Sequence, residues 1–204
     1  MGRIKSALEI ALERTEAVKT DKASVGLYEA KQQGKRLANA FLAAEGADAL
    51  KNLEEELKKI PKDQLESLKQ GIFDVLAPQI TLPAIAEDLQ RIEAVGKGLR
   101  ILISDGQFTA MYKQLLQVLS RYLGEAVHYE QAMRQQYAPK LRQKEEELSR
   151  RMGREVRLDP FQDPEFVAFY NQNLSALKAN YQGVVDQVRN EAQRIWDEQT
   201  ESHS

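Results

Sequence analysis

Residues 107–153 read QFTAMYKQLLQVLSRYLGEAVHYEQAMRQQYAPKLRQKEEELSRRMG and contain a single proline, Pro139. Apolar residues in this stretch recur at alternating steps of four and three, the spacing that places side chains on one face of an α-helix. They are Leu115, Leu119, Tyr122, Ala126, Tyr129 and Met133. The stretch therefore predicts one unusually long helix, with a kink at Pro139.

A second long helix is predicted over residues 163–199, where no strong helix breaker interrupts the sequence. Its apolar stripe repeats the same steps at Leu177, Tyr181, Val184 and Val188. The segment REVRLDPFQD, residues 154–163, separates the two helices and is called the connector below. Two such stripes are typical of a coiled-coil seam.

The two long helices are predicted to fold back on each other at the connector as an antiparallel hairpin. In such a hairpin the numbers of facing residues have a constant sum. A sum of 318 gives sensible apolar partners, with Tyr137 opposite Tyr181 and Met152 opposite Phe166. The helices are longer than a compact domain of this size needs, so a seam shared with a second chain is an alternative to packing within one chain.

The first part of the chain predicts shorter helices, bounded by glycine, proline and capping residues. They cover residues 3–19, a segment capped by Asp21 or Ser24 that runs to Ala44, residues 47–59, and residues 63–76. Glu45 and Gly46 are expected to end the second of these helices, and Pro61 the third.

The prolines of APQITLP, residues 77–83, predict an extended linker. A further helix follows from Ile85, and Gly96 and Gly98 are expected to end or kink it. The stretch ILIS, residues 101–104, fits either the end of that helix or a short strand.

The predicted fold class is all-α, a helical bundle with a long C-terminal antiparallel coiled-coil-like hairpin. The predicted organisation has N-terminal helices over 1–76, the linker over 77–83, and a helix plus hairpin over 84–204 with its tip at the connector. One elongated domain is the alternative.

The amino-acid composition and the charge balance of the chain argue against several classes of protein. The chain has no cysteine and nearly balanced charge, with 29 basic and 31 acidic residues. We expect a cytoplasmic protein, with no disulfides and no global field for nucleic acid or anionic lipid. The opening residues MGRIKS formally fit an N-myristoylation pattern, but Glu9, Glu13 and Glu16 oppose an anionic surface, so no membrane attachment is expected.

Glu125 and His128 have the Glu-x-x-His spacing found in carboxylate-bridged di-iron bundles. Such sites need two copies of the motif, and the only other histidine, His203, lies next to the C-terminal residue. The alternative is a half-exposed histidine beside the seam, so the prediction is no metal and no cofactor.

The arginines at the predicted tip are the best candidates for a partner-binding surface. Arg150, Arg151, Arg154 and Arg157 precede Phe161, and arginine with an exposed aromatic ring is a recurring composition of binding anchors. The alternative is structural: the arginines oppose the helix dipole, and Phe161 closes over Met152 or Phe166.

No pattern supports an enzymatic function. GxxxxGK[ST] is absent, and one histidine within the predicted fold with no cysteine leaves little material for nucleophilic catalysis. The sequence favours a non-enzymatic interaction or scaffolding protein, with another protein or a second copy of itself, in a homodimer, as partner. A bundle that binds a small apolar ligand or a metal is the alternative.

The opening segment GRIKSALEIALERTE, followed by VKTDK, resembles the start of a family of small uncharacterised bacterial proteins. The resemblance implies a bacterial cytoplasmic origin. It implies no activity and no site residues.

Overall fold

The computed structural model of the chain describes residues 7–44 and 48–202, with side chains from Ser24 onward. All regular structure in these ranges is helical, which confirms the all-α prediction. The α-helices are α1 (Ala7–Ala43), α2 (Asp48–Lys59), α3 (Lys62–Leu76), α4 (Ala86–Leu102), α5 (Gly106–Met152) and α6 (Pro164–Glu201). Short 3₁₀ turns cover Ala77–Gln79 and Pro160–Gln162.

Helix α1 is a single helix where two were predicted. The expected caps, Asp21 and Ser24, both lie inside it. Neither residue removes a backbone donor as proline would, and each costs well under about 1 kcal/mol inside a helix, so the helix continues. The start predicted at residue 3 and the helix end at Glu45 and Gly46 lie outside the described residues.

The extended linker predicted over residues 77–83 is wrong at Ala77–Gln79, whereas Ile80 has extended backbone with a ψ of 97°. Residues Ala77–Gln79 form a 3₁₀ turn, which accepts Pro78 because its first positions need no backbone donor. From Ile80 to Pro83 the chain has no regular structure.

The chain forms two compact units. The first contains the described residues up to Ile80, together with Ala94–Asp105 and the chain from Ala192 onward. The second contains Thr81–Glu93 and Gly106–Glu191. Helices α4 and α6 therefore contribute residues to both units.

In the first unit, α1 and α3 cross in backbone contact at two glycines. A methyl group at Gly34 would lie 2.0 Å from the Leu68 carbonyl oxygen, and one at Gly71 would lie 2.0 Å from the Lys31 carbonyl oxygen. No Cβ fits at either distance, so only glycine allows this approach. Lys31 Nζ also forms an ion pair with Asp74 at 2.9 Å.

The core of the first unit includes the only tryptophan of the chain. The Trp196 ring stacks on Phe73 with 4.9 Å between centroids, and its indole N–H donates to Gln70 Oε1 at 2.8 Å. Gly98 does not end α4: a methyl group there would lie 2.8 Å from Leu76 Cδ1, so this glycine admits neighbouring side chains. Because α4 includes Ile101 and Leu102, the alternative of a strand at 101–104 is wrong.

In the second unit, α5 runs through Pro139, and the kink expected there stays a prediction. The buried residues of α5 largely follow the predicted stripe. They are Phe108, Tyr112, Leu115, Leu119, Tyr122, Met133 and Tyr137. Ala126 is partly buried, but Tyr129 is 45% exposed, so its predicted place in the seam is wrong.

The long helices of the second unit pair in a different register from the predicted one. Tyr122 contacts Tyr181, with 5.1 Å between ring centroids, and Tyr137 contacts Phe166 at 5.2 Å. Both pairs sum to 303, and Met152, the predicted partner of Phe166, is 53% exposed. Tyr122 and Tyr137 lie about 22 Å apart along α5, so Tyr181 cannot face both.

The glycine crossing predicts a large loss of stability for Gly34→Ala. Its methyl group must separate two backbones, which we expect to lower the free energy of unfolding by about 2 kcal/mol or more. Gly26→Ala, in the same helix, is the matched control, because its methyl group meets only Gln64 Nε2 at 3.6 Å. Alanine favours helix, so this change should stabilise by up to about 1 kcal/mol. Urea unfolding followed by circular dichroism measures both, and equal effects would contradict the close crossing.

Candidate functional site

The connector returns along α5 instead of forming a tight turn. Helix α5 ends at Met152, and Gly153 has a φ of 64°, the left-handed conformation that ends helices. The Val156 N–H then donates to Ser149 Oγ at 2.9 Å, and the Leu158 N–H donates to Glu145 Oε1 at 2.8 Å. The acceptor residue changes from 149 to 145 as the connector proceeds, so the connector runs back along α5 before α6 begins. The numbers of facing residues therefore add up to 303, which is 15 lower than the predicted sum of 318.

Asp163, at the end of the connector, is the only buried charged or polar residue among the described side chains, with 6% exposure. Lys144 Nζ donates to both of its carboxylate oxygens, at 2.7 and 2.9 Å, and the Tyr137 hydroxyl donates to one of them at 2.9 Å. The carboxylate also accepts the Glu165 N–H at 3.1 Å. Asp163 therefore caps the start of α6 and fixes it to α5 with the same side chain.

Glu165 adds a second, more exposed carboxylate to the cluster. It accepts from Lys140 Nζ and Lys144 Nζ, both at 2.8 Å. We call Tyr137, Lys140, Lys144, Asp163 and Glu165 the clamp. Lys144 bridges its two carboxylates.

Hydrogen bonds fix the charge state of the clamp. Burial alone raises the pKa of Asp163, but hydrogen bonds from Lys144, Tyr137 and the Glu165 amide outweigh it and leave that pKa below its ordinary value. Hydrogen bonds from Lys140 and Lys144 lower the pKa of Glu165 to about 2. Hydrogen bonds to Asp163 and Glu165 raise the pKa of Lys144. Burial and the bond to Asp163 raise the pKa of Tyr137.

The clamp is consequently a static ion-pair network at neutral pH. Both carboxylates and both lysines are charged, and Tyr137 keeps its proton. A general acid or base needs a pKa near the working pH. The shifts described above move the pKa values of the clamp residues away from neutral pH. The clamp can hold the connector in place, and its chemistry does not favour proton transfer.

Phe161 lies next to the clamp and is both packed and exposed. Its ring meets Phe166 and Tyr170 edge-on, each with 5.2 Å between centroids, and the Arg134 guanidinium lies 4.8 Å from its centre. The expected closure over Phe166 is therefore confirmed. The ring nevertheless remains 39% exposed.

The four arginines of the predicted surface are all exposed. Arg150 and Arg151 lie in the last turn of α5, and each pairs with a glutamate one turn earlier. Arg154 and Arg157 lie in the connector, where Arg157 pairs with Glu155 at 3.1 Å. Pairs this exposed are weak, so the guanidinium groups can exchange partners. We call these arginines together with Phe161 the connector surface.

A cavity of about 310 Å³ lies between the end of α5 and the connector. Leu148, Leu158 and Pro164 supply apolar walls, and Lys144, Arg151 and Asp163 supply charged groups. The cavity combines apolar walls with a few convergent polar groups, the usual composition of a small-ligand site.

The weak alternative metal site does not assemble around Glu125 and His128. Burial and a hydrogen bond to Glu125 raise the pKa of Tyr181, so Glu125 is engaged as an acceptor, and His128 is exposed. Among the described side chains, those of residues 24–44 and 48–202, no three His, Cys, Asp or Glu converge as metal ligands. His203 lies outside the described residues.

Sequence reasoning missed the clamp. Tyr137, Lys140 and Lys144 share one helical face by their spacing, and Asp163-Pro164-Glu165 has the pattern of a helix start. These patterns indicate where each half lies on its own helix. Only the path of the connector brings the two halves together.

The helices define an all-α protein with two long C-terminal helices that pair as a hairpin in the second unit. The chain belongs to a family of unknown function, DUF6657, which matches residues 54–194. The expected resemblance to a family without known function is confirmed, although the match covers a different part of the chain from the opening segment. No curated protein and no solved structure matches the chain. In the described part of the chain, no helix has the length and apolar character to cross a membrane.

Removing the charge of Asp163 should destabilise the hairpin in a pH-dependent way. Asp163→Asn leaves Lys144 without its buried partner, and we expect the free energy of unfolding to fall by about 2 kcal/mol at pH 7. Since folding lowers the pKa of Asp163, its contribution is complete above the unfolded value of about 4. It is lost as the pH falls through the lower folded value.

Urea unfolding at several pH values between 7 and 2 measures this difference. The difference in the free energy of unfolding between wild type and Asp163→Asn should decrease below about pH 4. Asp186→Asn removes an exposed carboxylate of the same unit and serves as the control, with a small effect expected. A difference in the free energy of unfolding that stays constant down to pH 2 would show that the charge of the Asp163 carboxylate does not stabilise the clamp.

Proposed function

We propose that this protein is a non-enzymatic, cytoplasmic interaction protein that binds a protein partner through the connector surface. The main support is the attachment of the connector to α5 through buried Asp163. A segment that is already ordered loses little conformational entropy on binding, and the connector is such a segment.

The side chains of the connector surface suit protein recognition. Arginine and aromatic residues dominate the energetics of protein interfaces, and this surface presents four exposed arginines beside the half-exposed ring of Phe161. The glutamates Glu146, Glu147 and Glu155 offset three of the arginines. This balance favours a protein surface over a polyanion such as nucleic acid.

The chemistry of the clamp also favours a binding protein over an enzyme. Its carboxylates stay charged far below neutral pH, and its lysines stay protonated. The groups of the second unit whose pKa values are shifted most strongly therefore suit a non-catalytic role of the hairpin.

A second candidate function is the binding of a small apolar ligand. The cavity of about 310 Å³ beside Leu148 and Leu158 favours it, with Arg151 placed to bind a polar group of that ligand. Native mass spectrometry of protein purified without denaturation would show an added mass of a few hundred daltons. That mass should disappear in Leu158→Trp, whose larger side chain fills the cavity.

Site-specific photo-crosslinking tests the proposed interaction. A benzoylphenylalanine placed at Arg154 should give a discrete adduct when irradiated in the source cell, because Arg154 is exposed in the connector. The matched position is Asn180, which is exposed on α6. An adduct of twice the chain mass identifies self-association, and any other mass identifies a different partner.

A second variant connects the adduct to the surface. Arg150→Glu with Arg157→Glu, in the chain that carries the label at Arg154, should reduce the adduct about tenfold by removing two interface arginines. Circular dichroism checks that the fold is retained. Equal adducts at Arg154 and Asn180, or none at Arg154, would count against the connector surface.

A further inference from the structure

Helix α2, in the first unit, has one apolar face that is unevenly buried. Ala49 and Leu53, on one side of this face, are buried. Leu50 and Leu57, on its other side, are only half-buried. At about 100° per residue the four side chains span about 100°, so part of a single apolar face is left accessible.

The half-buried side of this face, Leu50 and Leu57, forms one wall of a groove. The groove has a volume of about 640 Å³ and is bounded by α2, α3 and the part of α4 that belongs to the first unit. Its floor consists of Leu50, Leu57, Leu65 and Ile101, all half-buried. An apolar floor of this kind gains free energy when a partner removes it from water.

The rim of the groove is predominantly positive. Its charged residues are Glu54, Lys58, Lys69, Lys97 and Arg100. Lys69 already pairs with Glu66 at 2.8 Å, an exposed pair of the kind that contributes little. The lining thus holds more cations than carboxylates around its apolar floor, which favours a ligand that is apolar in the centre and acidic at its edges.

We propose that this groove binds an amphipathic helix of a partner protein, with apolar residues facing the floor and acidic residues facing the rim. Leu50 and Leu57 are about 10 Å apart along α2, the length of two helical turns. Anchors at positions i, i+3 or i+4, and i+7 of a bound helix span the same distance, which is the helix-in-groove mode of recognition. The groove lies within the first unit, so its occupation is a separate event from binding at the connector surface.

Two synthetic peptides test the charge and the shape together. The first is a labelled helical peptide with leucines at i, i+3 and i+7 and glutamates on both flanks. The second has the same leucines with lysines in place of the glutamates. Fluorescence anisotropy with the full chain should show binding of the acidic peptide, and binding of the basic peptide should be at least about tenfold weaker.

Charge reversal on the protein locates the binding. Lys97→Glu with Arg100→Glu changes two exposed rim residues of α4 and should weaken binding of the acidic peptide about tenfold or more. Arg142→Glu with Lys178→Glu makes the same charge change at exposed positions of the second unit and should leave binding unchanged. Leu57→Asp places a carboxylate on the floor and should abolish binding. Circular dichroism spectra of all variants check that they fold.

Three results would overturn the proposal. They are no binding of the acidic peptide by wild type, equal binding of both peptides, or equal loss in the rim variant and in its second-unit control. Vesicles of anionic phospholipid provide a further arm. Binding to vesicles that is lost in the rim variant, without binding of the acidic peptide, would identify a lipid surface instead of a helix.

Discussion

The second unit depends on one carboxylate that serves two helices. Asp163 caps the first turn of α6 and accepts hydrogen bonds from Lys144 and Tyr137 of α5. A buried charge is costly unless it is paired and hydrogen-bonded, so the carboxylate is stable only where both helices supply donors at once. Asp163 thus fixes where α6 begins, and with it the pairing of Phe166 with Tyr137.

The sequence predicted the helices well because their signals are local. Periodic apolar residues and prolines marked α2, α3, α5 and α6 to within a few residues. The long-range contacts between helices were harder to predict from the sequence. The sum of 318 assumed that the connector reverses the chain without advancing along it, whereas its hydrogen bonds to Ser149 and Glu145 carry it back along α5. Period alone fits several registers, and a heptad shift preserves the apolar faces.

The role of the glycines was the other feature that the sequence left open. Gly96 and Gly98 were expected to end or kink α4, since glycine weakens isolated helices. Helix α4 continues past both glycines to Leu102, and a kink stays a prediction. In the fold, Gly98 lets Leu76 and Phe41 approach, just as Gly34 and Gly71 let α1 and α3 touch. Close packing outweighs the local preference in these helices. A single sequence does not reveal which glycine faces a neighbour, because that depends on the tertiary contact.

The backward path of the connector has a consequence for how chains of this kind can change length. An extended segment advances about 3.3 Å per residue, and a helix advances 1.5 Å, so three connector residues correspond to about two turns of α5. Inserting or deleting three residues would slide α6 by about one heptad and keep its apolar face toward α5. A change of one residue would shift α6 by about 3 Å along α5. The side-chain ridges of the two helices would then meet each other instead of packing into grooves, which is unfavourable. Length variation in the connector among related chains should therefore favour multiples of three.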